Sequence, residues 1–216
     1  MTDATQSPLF RGIKPADLTA LLGCLGAAER RYAKGQVILA EGQPTEQIGL
    51  VRTGLVLIEN CDVWGSRTIL GSAGPGAVFA EAYACTPGEP LRISVTAAEE
   101  TTVLFLRVGK LLTACPNGCP FHAQLTRNLL TVCAQKSLQL SRRMLHTSPK
   151  TIRGRLLSYF SEQVKVTGSR TFTIPYTRQQ LADYLGVDRS ALCTALTKMQ
   201  REGLLRCRRS TFELLE

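Results

Sequence analysis

The first half of the chain alternates short apolar runs with glycine. Between Arg31 and Leu106 the runs are VILAEG, IGLVRTGLVLIEN, RTILGSAGPGAVFAEA and RISVTAAEETTVLFLR. β-prone runs of about four to eight residues that end at Gly or Asn are typical of strands in an antiparallel roll or barrel. We therefore predict a β-roll here, preceded by a helix around Pro15–Leu25.

The pattern becomes helical after the roll. From about Phe121 to His146 the sequence has no Pro or Gly, which predicts one long helix. Its apolar residues recur at helical steps, so they could pack against the rest of the chain or against a second copy of the helix. These residues are Leu125, Leu129, Val132, Cys133, Leu140 and Met144.

Ser148-Pro149 ends the long helix, because the residue before a proline disfavours helical backbone. A further helix is predicted from Lys150 to about Val164, and the β-prone run TFTIPY follows it. The last residues, LLRCRRSTFELLE, predict two strands around a basic turn. A hairpin in this position is a wing.

Two short helices around a glycine turn are predicted between TFTIPY and the wing. Thr177 is a favourable N-cap, and Gln180 completes a capping box. Gly186 ends the first helix in a left-handed conformation, and Asp188 caps the second. Because Ala182 is small, the two helices can cross closely. The pattern predicts a helix-turn-helix, with an ordinary αα-hairpin inside a core as the alternative.

The second of these helices has an apolar side and a polar side. Its outward side chains could reach base edges in the major groove of DNA. Arg189 is the candidate for a bidentate contact with guanine, and Ser190 and Thr194 could contact bases or phosphate. The inner side comprises Leu192, Ala195, Leu196 and Met199, and the outer side comprises Arg189, Ser190, Cys193, Thr194 and Thr197.

Positive charge is concentrated in the same part of the chain, although the formal net charge is only +9. Residues 1–119 carry 10 Lys+Arg and 11 Asp+Glu, residues 120–148 carry 4 and none, and residues 149–216 carry 12 and 6. This asymmetry is typical of a surface that binds phosphates, and we predict phosphate contacts by Arg178, Lys198 and Arg208. A merely solvated basic face is the alternative. A membrane partner is not expected, since no basic amphipathic helix with aromatic anchors occurs.

The composition of the chain indicates in which cellular compartment the protein is expected. With 216 residues, of which 44% are hydrophobic, the chain can bury a core. Its longest weakly polar stretch, 18–28, is too short for a membrane span, and residues 1–10 lack the pattern of a secretory signal. We therefore expect a cytoplasmic protein whose eight cysteines are thiols.

The order of β-roll, long helix and winged helix-turn-helix resembles the CRP/FNR family of bacterial transcription regulators over nearly the whole chain. The matching motifs are KGQVILAEG in the first roll strands, PGAVFAEAYA in the effector-pocket cassette and FTIPYTRQQLADYLGVDRSAL in the DNA-binding signature. The resemblance implies an α+β fold: a cyclic-nucleotide-binding-like jelly roll at 1–119, a dimerisation helix at 120–147 and a winged helix-turn-helix domain at 148–216.

The resemblance also implies partners and a mechanism. The protein would bind a palindromic double-stranded DNA operator as a homodimer and contact RNA polymerase. A small molecule or a redox or metal signal, sensed in the roll, would control it allosterically. No cofactor can be named, and no catalysis is expected. Since Ser190 and Thr194 stand where the family often has Glu and Arg, the operator is expected to differ from those of other members.

The resemblance places an effector pocket in the cassette, at Ala80, Glu81, Tyr83, Cys85, Leu91 and Arg92. In cyclic-nucleotide-binding members a Gly-Glu pair is followed by Arg-Ser, and the Arg neutralises the phosphate. Here Arg92 lies one position out of register, which on a strand points it to the opposite face. Because Glu81 alone would repel a phosphate, cyclic AMP is not the expected effector, unless a shift in the loop 87–90 returns Arg92 to the pocket.

Cys115, Cys119 and His122 form the most suggestive chemical cluster. The run CPNGCPFH has the spacing of metal ligands, and its Pro-Asn-Gly turn could bring the two thiols together. The pattern Cys-x-x-x-Cys-x-Phe-His resembles a run found in an anaerobe-associated branch of the family. Cys85 could complete a ligand set. The alternative to a metal or redox role is packing at the start of a helix.

Two other classes of function stay open. The Cys/His cluster could belong to a metal or thiol-redox protein in which DNA binding is secondary, or to an enzyme. Against an enzyme, the chain has no P-loop, no Rossmann glycine pattern and no nucleophile triad. A non-specific nucleic-acid scaffold would use charge alone, and equal affinity for operator and scrambled DNA would identify it.

Overall fold

The computed structural model describes residues 7–65, 67–112 and 120–215. The chain divides into two compact units, Met1–Gln135 and Lys136–Glu216, which are treated separately below. The division lies inside the long helix, whereas the sequence suggested boundaries at its two ends. The reason is that the first half of the helix packs in the first unit and the second half belongs to the second unit.

The first described element of this unit is a 3₁₀ turn at Pro8–Phe10, and the predicted helix follows it as α1 (Pro15–Cys24). Short helix α2 (Glu81–Ala84) follows the sixth strand, and α3 (Val108–Leu112) follows the eighth. The strands are β1 (Ala28–Tyr32), β2 (Val37–Leu39), β3 (Gln47–Thr53), β4 (Val56–Cys61), β5 (Arg67–Ala73), β6 (Val78–Phe79), β7 (Ser94–Ala97) and β8 (Thr101–Arg107).

These strands form two four-stranded antiparallel sheets, in the orders β1-β8-β3-β6 and β2-β7-β4-β5. Buried residues of both sheets, among them Val51, Val95 and Phe105, share one core. The predicted β-roll is confirmed. Strand β1 begins before the predicted limit. The apolar pattern missed its start because the sequence AERRY is mostly polar and only Tyr32 in it is buried.

A second core of the first unit lies among the helices. Leu125, Leu129 and Val132, from the first half of α4 (Pro120–Thr147), are buried there beside residues of α1 and α3. Asn128 anchors this side of α4, since its side-chain amide donates hydrogen bonds to the carbonyls of Leu9 at 2.9 Å and Arg11 at 2.8 Å. This part of the apolar pattern is therefore intramolecular.

The later members of the predicted apolar side behave differently. Leu140 and Met144 are exposed, at 63% and 68%. The single chain therefore buries only the earlier members of this apolar side, and packing of the later ones against a second copy stays a prediction. At about 100° per residue, Leu140 lies between Leu129 and Cys133 around the helix axis. The difference therefore comes from position along α4, since Leu140 and Met144 belong to its second half, in the second unit.

The second unit contains the rest of α4 and the predicted winged helix-turn-helix, which is confirmed. Its elements after α4 are α5 (Ile152–Thr167), β9 (Thr171–Thr173), α6 (Arg178–Leu185), α7 (Arg189–Arg201), β10 (Leu205–Arg208) and β11 (Thr211–Leu214). The strands form one sheet in the order β10-β11-β9. Phe160 and Phe212, with ring centroids 4.6 Å apart, lie in a core that buries the inner sides of α6 and α7. Of the helices in the described ranges, none is long and apolar enough to cross a membrane.

Candidate DNA-binding surface and effector site

The predicted capping box at the start of α6 is present. The Gln180 N–H donates to the Thr177 hydroxyl at 3.3 Å, and the Thr177 N–H donates to the Gln180 side chain at 2.9 Å. Gly186 ends the helix with φ +64°, a conformation that costs glycine little. These local signals place α6 and the following turn where the sequence predicted them.

The N-cap of α7 is a hydrogen-bonded carboxylate. Asp188 accepts hydrogen bonds from the Ser190 hydroxyl and, at 2.9 Å, from the Ala191 N–H. The Ser190 bond, followed by the Ala191 bond, lowers the pKa of Asp188. The carboxylate therefore stays ionised at the helix N-terminus, where the helix dipole favours negative charge.

The outer side of α7 is the candidate DNA-reading face. Arg189, Ser190, Thr194 and Thr197 are exposed, and Cys193 is half-buried. The hydroxyls of Thr194 and Thr197 donate to backbone carbonyls of the preceding turn, each at 3.0 Å, and their lone pairs can still accept. Lys198 is also exposed, and the inner residues Leu192, Leu196 and Met199 are buried, as predicted.

Arg178 packs against the wing, which is the β10–β11 hairpin. Its guanidinium lies 4.8 Å from the ring centroid of Phe212 and donates to the Cys207 sulfur at 3.3 Å. Exposed Arg208 ends β10. Sequence reasoning placed Arg209 in the basic wing turn but not among the candidate DNA contacts; it has φ +53° there. It lines a cleft of about 460 Å³ with Ile174, Pro175, Tyr176, Thr177, Arg178 and Ser210.

The candidate effector site lies in the first unit around α2. Ala80 has a left-handed backbone with φ +61°, a conformation that favours glycine, and Glu81 begins the helix and is buried. Tyr83 and Cys85 are half-buried. Burial, then nearby Cys133 and Glu81, raise the pKa of the Cys85 thiol, so this cysteine stays protonated at neutral pH.

Backbone hydrogen bonds set the register around Arg92. The Leu91 N–H donates to the Gln43 carbonyl at 3.0 Å, and the Gly42 N–H donates to the Leu91 carbonyl at 2.7 Å. Leu91 is consequently buried, whereas the Arg92 side chain is 78% exposed and lies 3.5 Å from the Glu89 carboxylate. In this structure Arg92 thus faces solvent from a bend before β7, whereas the sequence reasoning assumed that it lies on a strand.

The cysteine and histidine cluster is only partly visible. Cys115 and Cys119 lie outside the described residues. His122, near the start of α4, is 8% exposed, and neither ring nitrogen has a hydrogen-bond partner among the described residues. Within the same residues, no group of three or more His, Cys, Asp or Glu side chains is placed to hold a metal ion. The six described cysteines are free thiols.

Two family models match the chain, each on one of these regions. The cyclic nucleotide-binding domain matches residues 29–117, and the Crp-like helix-turn-helix domain matches residues 154–216. The chain is 26% identical over 210 residues to the Cyclic AMP receptor protein of Thermus thermophilus, covering 97% of this chain and 93% of that protein. It is 21% identical over 203 residues to a CRP-like cAMP-activated global transcriptional regulator of Mycobacterium tuberculosis, covering 92% and 88%.

Solved structures show the same fold. CprK complexed with OCPA matches with a TM-score of 0.62 and 18% identity, over 93% of this chain and 91% of that chain. The c-di-GMP responsive global regulator CLP of Xanthomonas campestris matches with a TM-score of 0.61 and 17% identity, over 94% and 100%. Taken with the roll, the winged helix-turn-helix and the two domain matches, the chain belongs to the CRP/FNR family of DNA-binding transcription regulators.

Proposed function

We propose that the protein binds one palindromic operator as a homodimer and that a signal in the first unit controls this binding. Arg189, Ser190, Cys193, Thr194 and Thr197 would read bases, while Arg178, Lys198 and Arg208 would contact phosphates. The observation that carries the proposal is the outer side of α7, which is exposed and begins with an arginine next to a helix N-terminus. RNA polymerase would be contacted by the DNA-bound dimer.

The operator is found by selecting bound duplexes from random DNA. Arg189→Ala should then relax preference at one base pair and cost about 1–3 kcal/mol there. Arg201→Ala is the matched control, because Arg201 is exposed on the same helix at its other end. Equal affinity of the wild-type protein for the selected and scrambled duplexes would contradict sequence-specific regulation.

The dimer contact is proposed on the outer face of α4, defined as Leu130, Ala134, Leu138, Ser141 and Leu145. Steps of three and four residues bring these positions to one side of the helix. Leu130, Leu138 and Leu145 are 69%, 59% and 68% exposed in the single chain. A second copy of the same helix would cover them, and the small Ala134 and Ser141 would allow the two helices to approach closely.

Leu138→Glu should convert the dimer to a monomer, since it places two carboxylates in an apolar seam. Light scattering coupled to gel filtration would measure the mass, which is 23.6 kDa for one chain. Gln135→Glu is the control, because it adds the same charge at an exposed position outside the outer face. A wild-type protein with the mass of one chain would contradict the proposal.

The effector is proposed to be a small molecule other than cyclic AMP, held beside Ala80, Glu81, Tyr83, Cys85 and Leu91. The exposed Arg92 supports this, because a buried phosphate next to Glu81 would lack the arginine that neutralises it. Calorimetric titration with cyclic AMP should therefore give no binding. Tight binding that Arg92→Ala abolishes would show that the loop 87–90 rearranges and would contradict the proposal.

A second candidate for the controlling signal is a redox or metal signal at Cys115, Cys119 and His122. These residues form the run that resembles the anaerobe-associated branch of the family. The observation that favours it is the buried imidazole of His122, whose nitrogens lack partners among the described residues. Buried polar groups are normally satisfied, so a ligand or thiol partner would explain this histidine. With a metal or redox site there, the main activity could be that of a metal or thiol-redox protein, and DNA binding would be secondary.

Anaerobic purification, metal analysis and an absorption spectrum test this candidate. Bound metal or a thiol-dependent change in DNA binding should disappear in Cys115→Ser and persist in Cys61→Ser, since Cys61 is an exposed thiol on β4. A metal-free protein whose DNA binding is the same under reducing and oxidising conditions would contradict it.

A further inference from the structure

Two arginines from other helices cap the C-terminal end of α6. Arg143 of α4 donates from Nε to the Tyr184 carbonyl and from Nη2 to the Asp183 carbonyl, both at 3.0 Å. Arg155 of α5 donates from Nη1 to the carbonyls of Leu185 at 2.9 Å and Gly186 at 3.0 Å. The last carbonyls of a helix lack partners in the next turn and attract cations, so both guanidiniums are well matched to this place.

Arg155 also reaches the junction between α4 and α5. Its Nε donates to the Pro149 carbonyl at 3.0 Å. One guanidinium therefore joins the α4–α5 junction at Pro149 to the turn of the helix-turn-helix at Gly186. Because a guanidinium is planar and holds its donors in a fixed fork, these bonds also fix the direction between the two segments.

His146 adds a second contact between α4 and α6. Its Nδ1 lies 2.8 Å from the Tyr184 hydroxyl, and its Nε2 is hydrogen-bonded to the Glu162 carboxylate of α5. Burial, then Tyr176 and Glu162, raise the pKa of Tyr184, so its hydroxyl is protonated at neutral pH. The Tyr184 hydroxyl and the Glu162 carboxylate thus provide a partner for each ring nitrogen of His146.

We propose that Arg143, supported by Arg155 and His146, is the positioning residue through which the last turns of α4 set the position of the helix-turn-helix. This inference rests on the proposed reading of DNA by α7. Turning α4 by one residue, about 100°, would break both Arg143 bonds. The Tyr184 carbonyl would lose its Arg143 donor, and the Asp183 carbonyl would keep only the Gly186 N–H at 3.3 Å. A displacement of α4 therefore moves the end of α6 at Leu185, and with it the start of α7 at Arg189.

The test uses the full-length protein and a duplex selected by the wild type. Arg143→Gln and Arg143→Lys should both lower the preference for this duplex over a scrambled one about tenfold, a typical coupling between sites. Neither glutamine nor lysine has the planar fork that places Nε and Nη2 on two carbonyls at once. Arg142→Gln is the matched control: it removes the same charge at the adjacent position, where the 62% exposed Arg142 side chain lies 3.6 Å from Glu162. Its preference should stay within about twofold of wild type.

A second measurement needs no DNA. Amide hydrogen exchange at residues 186–191 should become faster in both Arg143 variants and stay unchanged in Arg142→Gln. The inference is overturned if folded Arg143→Gln keeps its DNA preference, if Arg143→Lys restores it, or if Arg142→Gln loses it equally. If the wild type itself selects no duplex, the proposed function fails. The exchange rates then decide alone: equal rates in all variants overturn the positioning role.

Discussion

At the scale of single residues, two side-chain caps begin the helices of the helix-turn-helix. Thr177 caps α6 through a reciprocal pair of hydrogen bonds, and Asp188 caps α7 with a carboxylate. Both caps satisfy backbone N–H groups that have no acceptor within their helix. The turn between the helices is short, so each cap also contributes to where α7 begins.

Thr177→Ala should lower the free energy of unfolding of the second unit by about 1 kcal/mol, because it removes the acceptor for the Gln180 N–H. Urea unfolding followed by near-ultraviolet circular dichroism measures this, since Tyr159, Tyr176 and Tyr184 lie together in that unit. Thr197→Ala, a substitution inside α7, is the control and should cost nothing, because alanine favours helix. Equal losses in both variants would contradict the capping role.

The Asp188 cap makes the start of α7 sensitive to acid. Its pKa is lowered in the folded protein, so its stabilising effect is full above the unfolded pKa of about 3.9 and is lost as pH falls through the folded value. Hydrogen exchange at residues 189–192, measured with decreasing pH, should reveal loosening in the wild type. Asp188→Asn, which caps without titrating, should abolish this pH dependence. An unchanged acid transition in that variant would assign the transition to other carboxylates.

At the scale of elements, the close approach of β3 and β6 shapes the roll beside the effector site. Gly49 on β3 pairs with Phe79 on β6, and a methyl group at Gly49 would overlap the Phe79 ring. Phe79 is fully buried and immediately precedes Ala80 and Glu81 of the effector site. The glycine therefore allows the ring to occupy the core and positions α2.

Gly49→Ala should destabilise the first unit by roughly 1–3 kcal/mol through overpacking. Gly71→Ala is the matched control, because no other atom lies within 4 Å of a methyl group added there, on β5. Thermal unfolding of both variants gives the comparison. If the two variants melt at the same temperature, Phe79 can move aside and the close approach is not a constraint.

At the scale of the whole molecule, the two parts of the chain differ in net charge. Residues 120–216 carry 16 Lys+Arg and 6 Asp+Glu, while residues 1–119 are nearly neutral. Contacts between basic side chains and phosphates release counterions, so DNA affinity should fall steeply with salt. The balanced first unit should contribute little to this dependence.

Lys198→Gln should weaken binding to all duplexes about equally and reduce the slope of log affinity against log salt by about 1. Fluorescence anisotropy at several salt concentrations measures both quantities. Lys165→Gln is the control, since it removes a lysine from the end of α5 rather than from α7. A base-dependent effect at Lys198 would instead assign that residue to sequence reading.

Much of the second unit could be predicted from sequence because its signals are local. Thr177, Gln180, Gly186 and Asp188 act within a few residues of themselves, through capping and left-handed backbone. The absence of Pro and Gly likewise determined the extent of α4, and short apolar runs determined the roll. In each case the determining interaction lies within one element or between neighbouring ones.

Only the tertiary structure decided which side of α4 is buried and where Arg92 and Arg143 point. The burial of Leu125 depends on an N-terminal segment more than a hundred positions away in the chain, as the Asn128–Leu9 hydrogen bond illustrates with a separation of 119 residues. Arg143 caps carbonyls 40 and 41 positions away, and no periodic pattern in the sequence predicts this pairing. Sequence patterns report the elements because helices and strands are held by local hydrogen bonds and side-chain spacing, whereas partners distant in the chain are chosen by packing.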